Sequence, residues 1–241
     1  LRKNAKDTIA YFERQGVEVK VISGDAPVTA SAVAARAGIK NAQRCIDLSN
    51  AAPEDVKNAA DKYTVFGRVS PEQKKLLVTA LQEKGYSVGM TGDGVNDAPS
   101  IKSADIGVGM GITGTDVTKN VADMVLADDN FATIVTAVGE GRRIYDNIRK
   151  AIQFLLSANL AEVVSIFIAD IMGFTILRPV HLLWINLVTD CLPAGALGLE
   201  KSEKGVMHRP PRKASDGIFA GGMGADMIWQ GAVIALLTLA A

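Results

Sequence analysis

The residues best suited to chemistry lie in the segment 91–99, which reads Thr-Gly-Asp-Gly-Val-Asn-Asp-Ala-Pro. Two carboxylates, Asp93 and Asp97, stand four residues apart, with the carboxamide of Asn96 beside them. Hard oxygen ligands of this kind suit Mg2+, which usually keeps several waters and bridges to phosphate. The two glycines, Gly92 and Gly94, let the backbone turn sharply and approach a ligand. The segment predicts a magnesium and phosphate site, and a solvated Gly/Asp/Asn turn is the alternative.

A second polar segment, Ser23-Gly24-Asp25, also follows a predicted strand. In open parallel sheets ligands collect beyond the carboxyl ends of the strands, so the two segments can converge on one phosphate. Lys74 lies in the first turn of a predicted helix, where it could add a point charge to the positive end of that helix. Taken alone, such a lysine would be a solvated surface residue.

Polar side chains also occur inside the long apolar runs of the second half. Asn159 and Glu162 are three residues apart and share one helix face, and Asn186, Thr189 and Asp190 share a face of the next apolar run. A carboxylate at the centre of a bilayer costs about 2.5–3.5 kcal/mol on insertion scales, which makes each acid a functional candidate. Residues that only hold helices together are the alternative, which suits Asn and Thr better than two acids.

Pro193 strengthens the case for a site within these runs. Proline cannot donate to the carbonyl group four residues earlier, that of Thr189, so we expect the helix to be kinked or unwound where the polar residues cluster. Oxygen ligands on flexible, partly unwound helices suit Ca2+ better than the octahedral demands of Mg2+. The sequence therefore predicts a cation site, with Ca2+ as the preferred ion.

Helix and strand signals alternate through the first half, which indicates an α/β fold with a parallel sheet. The best-defined helix is 71–83, because Ser70 can be its N-cap, Pro71 its first residue and Gln73 the partner in a capping box. A strand at 86–90 is expected to be buried and to end at the segment 91–99. The other predicted helices are 5–15 and 28–37, and the other predicted strands are 17–22, a strand near 65, 106–109 and 124–126.

Composition separates the chain into a charged first half and an apolar second half. Of the 241 residues 48% are hydrophobic, and 26 basic residues balance 26 acidic ones, so nothing indicates a nucleic-acid partner. Two cysteines are too few for a disulfide framework, which fits a reducing compartment. Apolar runs at about 152–172, 180–199 and from 227 onward predict two membrane-spanning helices and the start of a third.

Basic residues set the expected orientation of these spans. They are frequent in the helical segment before the first span and in the loop 201–213, whereas the turn between the first two spans has only Arg178. The positive-inside rule then places the soluble half in the cytoplasm. Neither end resembles a natural terminus, so we expect an internal piece of a larger integral membrane protein, which needs upstream parts of the same polypeptide and a lipid bilayer as partners.

In sequence and order, these motifs resemble those of the P-type cation-transporting ATPases, in particular the calcium pumps of the sarcoplasmic-reticulum type and their bacterial relatives. The resemblance covers almost the whole chain. The matching segments are Val-Ile-Ser-Gly-Asp at 21–25, Gly-Arg-Val-Ser-Pro at 67–71 with Lys74, the segment 91–99, Ala-Asp-Asp-Asn-Phe at 127–131, Asn-Leu-Val-Thr-Asp at 186–190 and Arg-Pro-Pro-Arg at 209–212.

The resemblance implies roles for the soluble residues. Asp93 would bind Mg2+, Asp97 and Asn96 would order the ion and the phosphoryl group, and Lys74 would neutralise charge on it. A hydroxyl at Ser23, where the family normally has threonine, would hydrogen-bond a phosphate oxygen. The implied catalytic set is Lys74, Thr91, Asp93, Asn96 and Asp97, and the implied set for binding ATP and Mg2+ is Ser23, Gly24, Asp25, Arg68, Lys74 and Asn96.

The resemblance also implies that Asn159, Glu162, Asn186, Thr189 and Asp190 bind the transported cation. Their pattern is similar to that of the sarcoplasmic-reticulum-type pumps, whereas sodium-potassium pumps carry Asp in place of Asn186. Asp170 is outside the family pattern and is expected to be a solvated carboxylate near the end of its span.

The implied fold is a haloacid-dehalogenase-like parallel sheet, incomplete, followed by transmembrane helices. The expected organisation is a C-terminal part of the phosphorylation domain at 1–130, a stalk helix at 131–150, two transmembrane helices at 151–199, a cytoplasmic loop at 200–222 and part of a third transmembrane helix at 223–241. The family's nucleophile lies in an Asp-Lys-Thr-Gly-Thr segment, which this sequence lacks. We therefore expect the nucleophile upstream of the chain, and the chain alone to be inactive.

The implied function is ATP-driven cation transport, with Ca2+ as cargo, through an aspartyl phosphate. Three alternatives remain at this level: a P-type pump for another cation, a membrane-tethered phosphatase of the haloacid-dehalogenase type, and a non-catalytic membrane protein. A tethered phosphatase would leave Glu162 and Asp190 without a purpose.

Overall fold

The structure is a computed structural model that describes residues 4–213 and 215–240. The chain divides after Thr136 into two compact units. The first unit, which we call the soluble unit, is an α/β fold. The second, which we call the apolar unit, consists of helices and connecting loops. The expected α/β fold followed by apolar helices is therefore confirmed.

Six short strands in the first unit form two parallel three-stranded sheets. In the first sheet the order is β1-β3-β2, and in the second it is β4-β5-β6, so the expectation of one sheet is corrected. The motif-bearing strands β1 and β4 are each at the edge of their sheet. The strands are β1 (Val21–Ile22), β2 (Cys45–Asp47), β3 (Val65–Gly67), β4 (Gly89–Gly92), β5 (Ile106–Met110) and β6 (Met124–Leu126).

The prediction that the strand before the segment 91–99 is buried is wrong, because β4 lies at the edge of its sheet. Gly89 is exposed and the other three residues of β4 are half-buried. By contrast, the central strand β3 is buried throughout. Its Phe66 packs with Leu48, Val56 and Leu77 in the main apolar cluster of the unit.

The described part of this unit also contains six helices. The capping box predicted for α4 is present, because the Ser70 hydroxyl accepts from the Gln73 amide at 3.3 Å and the Gln73 side chain accepts from the Ser70 amide at 2.9 Å. This box fixes the first turn, in which Lys74 lies. The helices are α1 (Ala5–Arg14), α2 (Pro27–Ala37), α3 (Pro53–Ala59), α4 (Pro71–Glu83), α5 (Ala98–Ser103) and α6 (Asp116–Val121), and a 3-10 turn at Val95–Asp97 precedes α5.

The apolar second half forms three helices long and apolar enough to cross a membrane, at Thr133–Ile171, Pro179–Gly198 and Met223–Ala240. The first of these, α7, is continuous over 39 residues. The second comprises α8 (Pro179–Trp184), a π-helical segment (Ile185–Asp190) and α9 (Cys191–Gly198), and the third is α10 (Met223–Ala240). The predicted change of geometry before Pro193 is present, as a π-helix rather than as an unwound segment.

A polar loop packs on α7 within the second unit. The Asn147 amide donates to the carbonyl groups of Gly198 and Glu200, and Arg142 donates to those of Val206 and Arg209. Lys150 forms ion pairs with Glu200 and Glu203. These contacts fix the loop that follows α9 against α7.

Candidate functional site

Lys74 and Asp97 meet in the soluble unit, where the lysine Nζ lies 2.6 Å from Oδ1 of Asp97. Both side chains are largely buried, with 16% and 13% of their surface exposed. The second oxygen of Asp97 accepts a bond from the Gly94 amide at 3.3 Å. A largely buried ion pair is screened less by solvent than a surface pair. The contact therefore holds the two charged groups together at the start of α5.

The backbone around Asp97 is packed too tightly for a side chain at Gly92. A Cβ atom there would lie 2.6 Å from the Asp97 Cβ and 2.7 Å from its Oδ2. Ser100 donates to the carbonyl of Asp97 at 2.7 Å, and Thr118 donates to that of Gly94 at 3.1 Å. Glycine at position 92 is therefore required by the close approach of the Asp97 side chain, whereas the sequence predicted the approach of a ligand.

Asp93 and Asn96 differ from Asp97 in being exposed. The carboxylate of Asp93 forms no hydrogen bond or ion pair with any described residue, so both its oxygens can bind a cation. Within residues 4–213 and 215–240 no three acidic, histidine or cysteine side chains cluster as a metal site. The oxygen donors of Asp93 and Asn96 fit Mg2+, which proteins usually hold through one or two carboxylates while phosphate and water supply the other ligands.

The segment 23–25 has a more local arrangement. The Ser23 hydroxyl accepts from the Asp25 amide at 3.1 Å, and the Arg68 amide donates to the Asp25 carbonyl at 2.8 Å. The Arg68 guanidinium lies 3.4 Å from an Asp47 oxygen. Among the described residues, no hydrogen bond or ion pair links this segment to the segment 91–99.

Thr91 and Gly24 complete the residues predicted for the soluble site. Thr91 is the third residue of β4 and is half-buried, whereas Gly24 is exposed beyond the end of β1. Both therefore lie at carboxyl ends of strands, as expected for groups that contact a phosphate.

In the apolar unit the structure joins Glu162 to Asn186. The Asn186 amide donates to Oε2 of Glu162 at 3.0 Å and to the Leu182 carbonyl at 3.0 Å. The other carboxylate oxygen of Glu162 is buried and has no hydrogen-bond partner in the described structure. The contact connects α7 to the π-helical segment.

Asp190 is the second acid with an unsatisfied oxygen. Its residue is 5% exposed, and Oδ2 is buried without a hydrogen-bond partner among the described residues. Thr189 is exposed and donates to the Ile185 carbonyl at 2.6 Å, and Asn159 is also exposed. Of the five predicted ligands, Glu162 and Asn186 are thus linked directly. Glu162 and Asp190 each have a buried oxygen without a hydrogen-bond partner among the described residues.

One ordered acid was overlooked as a structural element of the soluble unit. Asp129 accepts from the amides of Ile112 and Thr113 at 2.8 Å each and from the Thr113 hydroxyl at 2.7 Å. Burial tends to raise the pKa of Asp129, but these hydrogen bonds outweigh it and lower the pKa to about 2. Its positive φ of 51° marks a turn, which the repeated acids at 128 and 129 could have indicated.

Two models of known protein families match the chain, one within each of its two units. Residues 1–105 match the model for haloacid dehalogenase-like hydrolases, and residues 174–241 match the model for the C-terminus of cation transporting ATPases.

Similar proteins extend the match over the whole chain. A calcium-transporting ATPase of Bacillus cereus is 49% identical over an alignment of 246 residues. This alignment covers 100% of this chain and 28% of that protein. An endoplasmic reticulum-type calcium-transporting ATPase of Arabidopsis thaliana is 44% identical over 90% of this chain and 21% of its own length. The chain thus spans about a quarter of the length of these relatives. The solved catalytic domain of the CPx-ATPase CopB-B aligns with 56% of this chain and 44% of its own at 28% identity, with a TM-score of 0.44.

Proposed function

Since the chain belongs to the family of P-type cation-transporting ATPases, we propose that it is part of a pump that moves Ca2+ across a membrane at the expense of ATP. Residues 1–130 form the C-terminal part of the phosphorylation domain, 131–150 a stalk helix, and 151–199 two transmembrane helices. The loop 200–222 and the soluble half are cytoplasmic, and 223–241 lies in a further transmembrane helix.

One observation carries the proposal: Glu162 and Asp190 each have a buried carboxylate oxygen with no partner in the described residues. An unpaired buried polar group typically costs about 1–3 kcal/mol, and more when charged. A cation held by these oxygens would remove that cost. The neighbouring π-helical segment supports this role, because π-helical turns occur often at functional sites. The similarity to calcium-transporting ATPases favours Ca2+ over other cations.

Sheet topology supports an upstream nucleophile. β1 and β4, which lead into the segments 23–25 and 91–99, are both edge strands with one unpaired side. A parallel strand from the upstream part of the protein, paired with both edges, would bring its carboxyl end beside both segments. An aspartate at that end would receive the phosphoryl group close to Lys74 and Asp93.

In this arrangement the residues of the chain position and stabilise charge. Asp93 and Asn96 would hold Mg2+, and the ion would supply positive charge that neutralises phosphoryl oxygens. Lys74, oriented by Asp97, stabilises the charge of the transition state, and the Ser23 hydroxyl and the backbone at Gly24 contact phosphate oxygens. Phosphoryl transfer depends mainly on such positioning and electrostatics.

The decisive experiment separates a pump from a tethered phosphatase. In the full-length protein, Asp190→Asn should lower Ca2+ affinity and abolish Ca2+-activated phosphorylation by ATP, while phosphorylation from inorganic phosphate persists. Asp170→Asn is the matched control, because Asp170 is an exposed carboxylate on a neighbouring membrane helix. Unchanged Ca2+ dependence in Asp190→Asn would exclude the proposed ion site and the transport function built on it.

A further inference from the structure

A cavity of about 560 Å³ lies within the second unit, between α7 and the loop that leads into α10. Its volume falls in the range of about 300–1,000 Å³ that is typical of small-molecule sites. Four arginines and only two aspartates contribute to its wall, so the lining carries an excess of positive charge. These residues are Arg142, Arg149, Arg209, Arg212, Asp146 and Asp216.

Two of the four arginines, Arg149 and Arg212, have no carboxylate partner among the described residues. Arg209 is paired, because it contacts both Asp146 and Glu203. Arg149 donates to the Ala220 carbonyl, and Arg212 donates to the Asp216 carbonyl at 2.8 Å. Neither Arg149 nor Arg212 forms an ion pair with a described residue. Hydrogen bonds to backbone carbonyls hold these guanidinium groups in place without cancelling their charge.

Two donors in the wall have no hydrogen-bond acceptor among the described residues. They are the Tyr145 hydroxyl and Nε of Arg149, and both atoms are buried. Arg212 stacks over the Tyr145 ring, with its Cζ 3.8 Å from the ring centroid. The stacking fixes the guanidinium plane and the phenol together. An anion with several acceptor oxygens would satisfy both donors.

We propose that this cavity binds an anionic phosphate group, supplied by a phospholipid headgroup. Planar guanidinium groups recognise phosphate by paired hydrogen bonds, and basic pockets between transmembrane helices are suited to anionic headgroups. Arg149 lies just before the apolar run that begins at Ile152, and Gly221 of the cavity wall lies two residues before α10 begins. The cavity is therefore at the level where two spans begin, which is the depth of headgroups. This inference requires only that the helices cross a membrane and does not depend on the proposed transport.

Gly141 offers a test that removes no native contact. It lies on α7 in the cavity wall, and a Cβ atom built there meets nothing within 4 Å. Gly141→Glu adds a negative charge to the cavity, while Gly141→Gln adds a neutral side chain of the same size. Both replacements favour the helix over glycine, so both variants should fold.

The lipid arm uses full-length protein in phosphatidylcholine nanodiscs that contain a small fraction of phosphatidylglycerol, with retained lipid counted by native mass spectrometry. Wild type and Gly141→Gln should retain phosphatidylglycerol preferentially, and Gly141→Glu should lose about 10-fold or more in affinity, as expected for a like charge beside the ligand. Arg149→Gln with Arg212→Gln should show the same loss, whereas Lys201→Gln with Lys204→Gln, two exposed charges of the same loop, should not.

The second arm titrates inorganic phosphate into delipidated, detergent-solubilised protein at constant ionic strength. Phosphate binding that is lost in Gly141→Glu, without any preference for phosphatidylglycerol in nanodiscs, would keep the phosphate site and reject the lipid as its source. Equal behaviour of Gly141→Glu and Gly141→Gln in both arms would overturn the proposal. So would the absence of binding in wild type, which would indicate that another segment of the longer protein fills the cavity.

Discussion

The contact between Gly92 and Asp97 gives the sharpest test of the soluble site. In Gly92→Ala the new Cβ would meet the Asp97 Cβ at 2.6 Å. Normal contact between carbon atoms requires at least 3.4 Å, so Asp97 or the backbone of β4 must move by about 0.8 Å. Overpacking of this kind typically costs about 1–3 kcal/mol.

That displacement also disturbs the ion pair. The 2.6 Å contact between Lys74 and Asp97 is short, and a shift of this size can take it beyond hydrogen-bond distance. Misplacement of catalytic groups by about 1 Å can reduce a rate by about 10²-fold. We therefore expect Gly92→Ala to slow phosphoenzyme formation by about that factor while leaving Ca2+ binding unchanged.

Gly94→Ala is the matched control. A Cβ at Gly94 lies 3.6 Å from Oδ2 of Asp97, which is ordinary contact, and its backbone angles of −94° and 156° suit alanine. This variant should be as stable as wild type or more stable by about 0.4–1 kcal/mol. Rapid-quench phosphorylation and thermal unfolding of the full-length variants measure both effects. Wild-type phosphorylation in Gly92→Ala would refute the argument that the position of Asp97 limits the reaction.

Three further predictions concern single groups. Lys74→Ala should slow phosphoryl transfer by about 10²-fold or more, measured by rapid quench, and an unchanged rate would limit Lys74 to a structural role. Ser70→Ala should destabilise the first turn of α4 by about 1 kcal/mol, seen as faster amide exchange at Gln73, whereas Thr79→Ala further along the helix should leave that exchange unchanged. The depressed pKa of Asp129 stabilises the fold above the unfolded value of 3.8, and this contribution is lost as the pH falls towards about 2. In wild type, the protection of the Ile112 and Thr113 amides from exchange should decline over that pH interval. In Asp129→Asn the protection of both amides should already be lower at neutral pH, and it should not decline further over that interval.

Local signals predicted the elements that carry strong caps or periodicity. The helix 71–83 is present with its predicted bounds, because the box formed by Ser70 and Gln73 fixes its start. β2 and α3 were not predicted: Cys45–Asp47 is too short to show alternation, and the helix-start signal of Pro53 with two following acids was overlooked. Division into two sheets could not be read from the sequence, since strand pairing depends on contacts between distant residues.

The sequence proposed candidate site residues, but it could not give the contacts that those residues make. The spacing of Asp93 and Asp97 predicted two similar carboxylates. Only packing distinguishes them, because Asp97 is buried against Lys74 whereas Asp93 is exposed. Pro193 indicated where the second span would depart from α-helical geometry. It could not indicate a π-helix, whose formation depends on how the whole segment packs.

The soluble and apolar units satisfy their acids in opposite ways. In the soluble unit Lys74 compensates the charge of Asp97, whereas Asp93 is exposed. In the apolar unit one oxygen of Glu162 accepts a hydrogen bond from Asn186. The other oxygen of Glu162 and one oxygen of Asp190 are buried without a hydrogen-bond partner among the described residues.

The desolvation cost of those two oxygens is already present before a ligand arrives. A cation that fits them would therefore gain more binding free energy than it would from solvated carboxylates. Asn186, which donates to Glu162, would have to turn its amide so that its carbonyl oxygen faced the ion. Cation binding would therefore change the contact between α7 and the π-helical segment.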